Sequence, residues 1–157
     1  VYDLDNKKYV KGGFVNKKVL SAYVKECIKE FEIACDSEQS PVRMLSGGNI
    51  QKVIVAREFT SGANLIIANQ PTRGIDVGTA SLIHRLLHKY TREKKFAVLL
   101  ISSDLNEILN LSDRLLVMRD GSIGAQFVEM DKVTDEMLGE YMLGIKKMTP
   151  EERGELY

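Results

Sequence analysis

Little in this chain points outward by charge. Lysine plus arginine and aspartate plus glutamate stand at 22 each over 157 residues, so the formal net charge is zero. Without a broad basic field there is no electrostatic footprint for nucleic acid or for an anionic membrane surface. Long apolar runs are lacking too. The longest, such as Phe96 to Ile101, fall far short of the ~20 residues that a membrane span needs. The first stretch, Val1 to Lys11, is polar and has no apolar segment of the signal-peptide kind. Cysteine is scarce, and Cys27 and Cys35 match no metal spacing. Free thiols in a reducing compartment are the simplest expectation, with a single disulfide as the alternative. The abrupt opening without an initiator methionine suggests a piece cut from a longer protein.

What is there is a globular pattern, 44% hydrophobic, enough for one domain with a real core. Residues 1 to 16 look irregular or hairpin-like, punctuated by Gly12-Gly13. Val19, Leu20, Tyr23, Val24, Cys27, Ile28 and Phe31 then recur on one face of a helix, which makes Cys27 a packing residue. Asp36 to Met44 forms a polar connector containing Pro41. A second helix is expected up to about Phe59, with Ile50, Val53 and Ile54 as its apolar face. Leu65 to Ala68 and Phe96 to Ile101 read as strands buried on both faces. Between them lies a helix built on Leu82, Ile83, Leu86, Leu87 and Tyr90.

After a short helix from about Asp104 to Leu111, Arg114 to Met118 and Ser122 to Val128 flank Asp120-Gly121, a strong hairpin signal. A last helix carries Val133, Met137, Leu138, Tyr141, Met142 and Ile145 on one face. The segment Thr149 to Glu152 can start a further turn but is expected to be mobile. Strands alternating with helices predict a three-layer α/β architecture, closed by an antiparallel edge.

The chemistry concentrates in three places. Leu45-Ser46-Gly47-Gly48-Asn49-Ile50-Gln51-Lys52 sets a serine and two glycines at the start of a helix. Ser46 can cap that helix, and the first-turn N–H groups can face an anion. By itself such a stretch is also an ordinary loop. Eighteen residues beyond Gln51 the first buried strand ends in Asn69-Gln70, and Pro71-Thr72-Arg73-Gly74-Ile75-Asp76 follows. The other strand ends at Ser102-Ser103-Asp104. Ligands of open α/β sheets sit at the carboxyl ends of strands.

Taken together, Leu45-Ser46-Gly47-Gly48 with Gln51, and Pro71 to Asp76 after a buried strand, resemble the nucleotide-binding domain of an ABC transporter, over roughly residues 14 to 145. The forms Ser-Gly-Gly-Asn-x-Gln-Lys and Pro-Thr-Arg-Gly-Ile-Asp-Val-Gly resemble importers of simple sugars and nucleosides. In that group one polypeptide holds two such domains, and this chain is similar to the distal part of the second. The resemblance implies a partial P-loop NTPase domain, with a mostly parallel sheet flanked by helices. Residues 1–44 would be part of a small helical subdomain and its connector, 45–145 the C-terminal part of the ATPase core, and 146–157 a polar tail.

Position by position, the resemblance makes Leu45, Ser46, Gly47, Gly48 and Asn49, with Gln51, the signature motif, which binds ATP held by another domain. Asn49 stands where many relatives have glutamine. Leu65 to Gln70 matches the Walker B strand, and Arg73, Gly74, Ile75 and Asp76 the D-loop. Three departures matter. Asn69 replaces the aspartate of the Mg²⁺ shell, Gln70 the carboxylate that positions water, and Ser103 the switch histidine. No G-x-x-x-x-G-K-[ST] P-loop occurs in the sequence. No catalytic residue is therefore intact, and no ATPase and no tightly bound ATP or Mg²⁺ are expected of this chain alone.

In the full-length protein the resemblance implies ATP and Mg²⁺, the other ABC domain of the same polypeptide, transmembrane permease subunits and, indirectly, an extracytoplasmic solute-binding protein. It implies a peripheral place on the cytoplasmic face of the membrane and no nucleic acid. The solute itself stays unnamed, although the Ile83-His84-Arg85 helix leans toward nucleosides. Two rivals are a non-hydrolytic regulatory or dimerisation module and a soluble ABC protein not linked to transport. His84 and His88, four apart on one helix face, suit a solvated face better than a metal, for want of a third ligand. A missing β layer would leave apolar sheet surface exposed and favour self-association.

Overall fold

The computed structural model describes residues 9–11 and 14–154, which divide into two compact units at Leu99/Leu100. The first unit opens with β1 (Val10–Lys11) and β2 (Phe14–Val15), paired antiparallel. The turn expected at Gly12-Gly13 lies outside the described residues. Asn16 then caps α1 (Lys17–Glu30) by accepting from Val19 N at 3.3 Å. The anticipated stripe Val19, Leu20, Tyr23, Val24, Cys27 and Ile28 is the half-buried face of α1, and Phe31, at its C-cap, is fully buried. Burial pushes the Cys27 thiol up from its ordinary value, as befits a packing residue rather than a nucleophile.

Pro41 starts a 3₁₀ turn over Val42–Met44, and Ser46 caps α2 (Gly47–Phe59). The buried side of α2 is not the expected one. Val55, Ala56 and Phe59 are buried, Ile50 and Val53 half-buried, and Ile54 exposed. Spacings of three and four from Phe59 lead back through Val55 to Gln51 and Gly48, so the seated face includes a bare and a polar residue. Hydrophobicity alone cannot register either.

Beyond β3 (Leu65–Asn69), Asp76 caps α3 (Val77–Lys94), which leads to β4 (Ala97–Ile101) beside β3 in a two-stranded parallel sheet. The predicted stripe of α3 is met residue for residue, since Leu82, Ile83, Leu86, Leu87 and Tyr90 are all buried. Phe31, Phe59 and Tyr90 form an aromatic knot with centroids 4.8–6.3 Å apart, and Phe96 extends it at 5.8 Å from Tyr90. Lys89 also reaches Glu30 at 2.8 Å, an exposed pair worth less than about 1 kcal/mol.

The two strands depart from the expectation of burial on both faces. Ile66 is buried, but Leu65, Ile67 and Leu99 are 55%, 64% and 51% exposed. One face of the sheet is covered and the other is open among the described residues.

In the second unit, Asp104 caps α4 (Leu105–Leu111), and β5 (Leu115–Arg119) pairs antiparallel with β6 (Ser122–Phe127). Asp120 and Gly121 both take positive φ, 48° and 72°, the geometry that a two-residue hairpin turn requires. Thr134 caps α5 (Asp135–Leu143), whose Leu138 packs with Val117, Ala125 and Phe127. The helix stops sooner than expected. Gly144 takes φ 73° and leaves Ile145 70% exposed, off the helical face.

Residues 148–154 are not loose. Thr149 and Glu152 cap each other, Met148 N donates to Gly124 O at 3.0 Å, and Arg153 donates to the carbonyl of Ile123. Backbone acceptors on β6 hold what its polar composition suggested would move. Ile83 is 1% exposed and Leu138 likewise. Ile83→Ala and Leu138→Ala are each expected to cost about 2–5 kcal/mol, read as a lower urea midpoint at unchanged slope.

Candidate functional site

The start of α2 is built as the sequence suggests. Ser46 takes an extended conformation, and its Oγ accepts from Asn49 N at 3.5 Å and from Asn49 Nδ2 at 2.9 Å. These bonds use only lone pairs, so the hydroxyl of this exposed serine can still donate. The N–H groups of Gly47 and Gly48 lie in the first turn, where a helix offers no acceptor. The side chains of Asn49 and Gln51 are both engaged with backbone groups. Asn49 Oδ1 accepts from Ala34 N at 2.8 Å, and Gln51 Nε2 donates to Pro71 O at 3.0 Å. Leu45 and Asn49 border a depression of about 250 Å³ that also touches Cys35, Asp36 and Met44.

At the carboxyl end of β3, Asn69 is exposed, and Gln70 takes φ 49°, a left-handed conformation that costs a side-chain-bearing residue about 1 kcal/mol or more. Arg73 N closes the turn onto Gln70 O at 3.2 Å, and Gly74, at φ 76°, completes the reversal. Neither Asn69 nor Gln70 carries a charge, so this strand end has no carboxylate for a divalent cation or for activating water. The nearest carboxylate in sequence is already engaged. Asp76 Oδ1 accepts from Thr79 N at 2.9 Å and Oδ2 from Thr79 Oγ1 at 2.8 Å. Those bonds, led by the backbone one, hold its carboxyl below the usual aspartate value. Such a group is a cap and a poor base.

Two of the three expected clusters are thus brought together in the first unit. The turn at 45–52 and the segment 71–79 meet through Gln51 and Pro71 and through Gly48, whose α-hydrogen side faces Asp76 and Thr79. Ser103 is exposed in the second unit, between Ser102, whose Oγ accepts from Asp104 N at 3.0 Å, and the α4 cap. Thr79, which sequence reasoning passed over, is 7% exposed and organises the Asp76 carboxylate. A threonine three residues after a capping aspartate was the available signal. Among the described residues no group of three or more His, Cys, Asp or Glu side chains is placed to hold a metal.

Because the folded carboxyl of Asp76 lies below its unfolded value of about 3.9, its contribution is complete above that pH and is lost as pH falls through the folded value. Asp76→Asn is therefore expected to lower the thermal midpoint at neutral pH. The gap to the parent chain should close below about pH 4. Midpoints followed across pH check this, and a gap that does not depend on pH would contradict it.

No protein-family profile matches the chain. Among curated proteins it is 42% identical over 134 residues to the nucleoside import ATP-binding protein NupA of Lactococcus lactis subsp. cremoris, a match covering 85% of this chain and 26% of that protein. It is 40% identical over 138 residues to the guanosine import ATP-binding protein NupO of Bacillus subtilis, covering 88% and 27%. With the ribose import ATP-binding protein RbsA of Oceanobacillus iheyensis it shares 38% over 132 residues, covering 84% and 26%. The chain thus spans about a quarter of the length of these relatives. Among solved structures, the dimeric bacterial ABC transporter cassette MJ0796 superposes with a TM-score of 0.64 at 26% identity, over 75% of this chain and 50% of that one. The ADP form of the cassette MJ1267 gives 0.65 at 24% identity, over 91% and 56%. In sequence the chain is a relative of sugar and nucleoside import ATP-binding proteins, and in fold it is part of an ABC ATPase cassette.

Proposed function

We propose that this chain is the signature-bearing part of the energy-coupling subunit of an ABC importer for simple sugars or nucleosides. It supplies Ser46, Gly47 and Gly48 in trans to ATP and Mg²⁺ held by another ABC domain of the same polypeptide. Its own strand end, at Asn69 and Gln70, does not support turnover. The observation that carries the reading is the contrast in the first unit. A first helical turn with an exposed serine hydroxyl and free N–H groups stands against a strand end without a carboxylate. The same lack of charge at Asn69 and Gln70 favours, as a second reading, a regulatory module that closes on a partner without hydrolysis.

The wider arrangement follows from the likeness to import ATP-binding proteins. Permease subunits would receive the closure, a solute-binding protein outside would deliver the cargo, and this subunit would sit on the cytoplasmic face of the membrane. No helix among the described residues is long and apolar enough to cross a membrane.

The experiment uses the full polypeptide assembled with its membrane subunits. Ser46→Arg is expected to lower ATP hydrolysis about 100-fold, as loss of a preorganised donor does. Restoring Asn69→Asp, Gln70→Glu and Ser103→His is expected to leave the existing activity in place and to add a second turnover site. Hydrolysis that survives Ser46→Arg but is abolished by changes at Asn69 would refute the assignment. For the chain by itself, calorimetry is expected to show no micromolar ATP binding.

A further inference from the structure

The two glycines of the signature turn are not equivalent. A Cβ built on Gly47 meets nothing within 4 Å. One built on Gly48 would lie 3.0 Å from Thr79 Oγ1, 3.2 Å from Asp76 Oδ2 and 3.7 Å from Thr79 Cβ. Gly78 comes near the other oxygen, since a Cβ there would stand 3.1 Å from Asp76 Oδ1. One helical turn beyond Gly48, on the same face, Gln51 donates to Pro71 O at 3.0 Å. The start of α2 is therefore attached to the 71–79 segment at two points, one by direct approach and one by a hydrogen bond.

We infer that Gly48 lacks a side chain so that the first turn of α2 can seat on the N-cap of α3, and that Thr79 is a positioning residue which, through Asp76, sets the distance between the signature turn and the 73–76 loop. Thr79 is suited to this by its placement. It is nearly buried, its Oγ1–H is committed to Asp76 Oδ2, and its backbone N–H to Oδ1. A carboxylate held by both bonds stays where it lies, with Oδ2 against the bare face of Gly48. Closing movements felt by the 73–76 loop would then reach Ser46 as a displacement of one rigid body. This consequence rests on the proposed trans role of the signature, whereas the seating itself does not.

A size-exchange experiment in the full polypeptide separates the two. Gly48→Ala is expected to accelerate amide hydrogen exchange about fivefold in both segments 45–52 and 72–80, while Gly47→Ala leaves exchange unchanged. Adding Thr79→Ala to Gly48→Ala removes Oγ1, the nearest atom, and releases Asp76 Oδ2 to move off the new Cβ, and should restore most of the protection. In ATP hydrolysis, Thr79→Val is expected to raise KM for ATP about fivefold with a smaller change in kcat, and Thr79→Ser to behave as the parent. If the double variant exchanges as fast as Gly48→Ala, or if Gly47→Ala is equally disruptive, the seating is wrong. If exchange is rescued but no Thr79 variant alters hydrolysis, the seating stands and Thr79 as a positioning residue falls, whereas the trans role is decided separately by Ser46→Arg.

Discussion

The close approach of the first turn of α2 to the cap of α3 is the constraint on which the candidate site depends. It requires a bare backbone at Gly48, an aspartate at Asp76 whose two oxygens are both satisfied, and a threonine at Thr79 to satisfy them. At the far ends of the same two helices, Phe59 and Tyr90 stack at 4.8 Å, and Phe31 joins them. One end of the helix pair is thus fixed by apolar area and the other by polar geometry. The first supplies most of the stability, because dispersion and burial scale with area. The second supplies precision, because hydrogen bonds are directional.

Charge is distributed to match. The turn at Ser46 to Gly48 concentrates donors, with an exposed hydroxyl and first-turn N–H groups at the positive end of a helix. The end of β3 presents two amides, and the carboxylate that follows it, Asp76, is already engaged in capping α3. Such a surface can receive an anion at the helix, yet it lacks the carboxylate needed to activate water beside the strand. Hydrogen-bond donors and carboxylates are thus kept apart at the level of individual side chains.

Much of this was legible from residue order. The stripe of α3, the cap at Ser46 and the Asp120-Gly121 turn all follow from short-range rules, since each depends on neighbours within about four residues. The face of α2 was misjudged because Gly48 and Gln51 are seated by approach and by a hydrogen bond, which a count of apolar residues ignores. The strands were misjudged for a different reason. A continuous apolar run shows that a strand is able to be covered on both faces, not that a layer is present to cover it, and Leu65, Ile67 and Leu99 stand open.

The sequence by itself determined which segments are helix or strand, where they are capped, and that Asn69 and Gln70 leave the strand end uncharged. These are matters of local backbone preference and of covalent side-chain chemistry. Only the tertiary structure decided that Gly48 faces Asp76 and Thr79 while Gly47 faces open space, and that the amide of Gln51 is used on Pro71. Those facts depend on residues 20 or more positions apart meeting at the distance of one hydrogen bond, which no local pattern encodes.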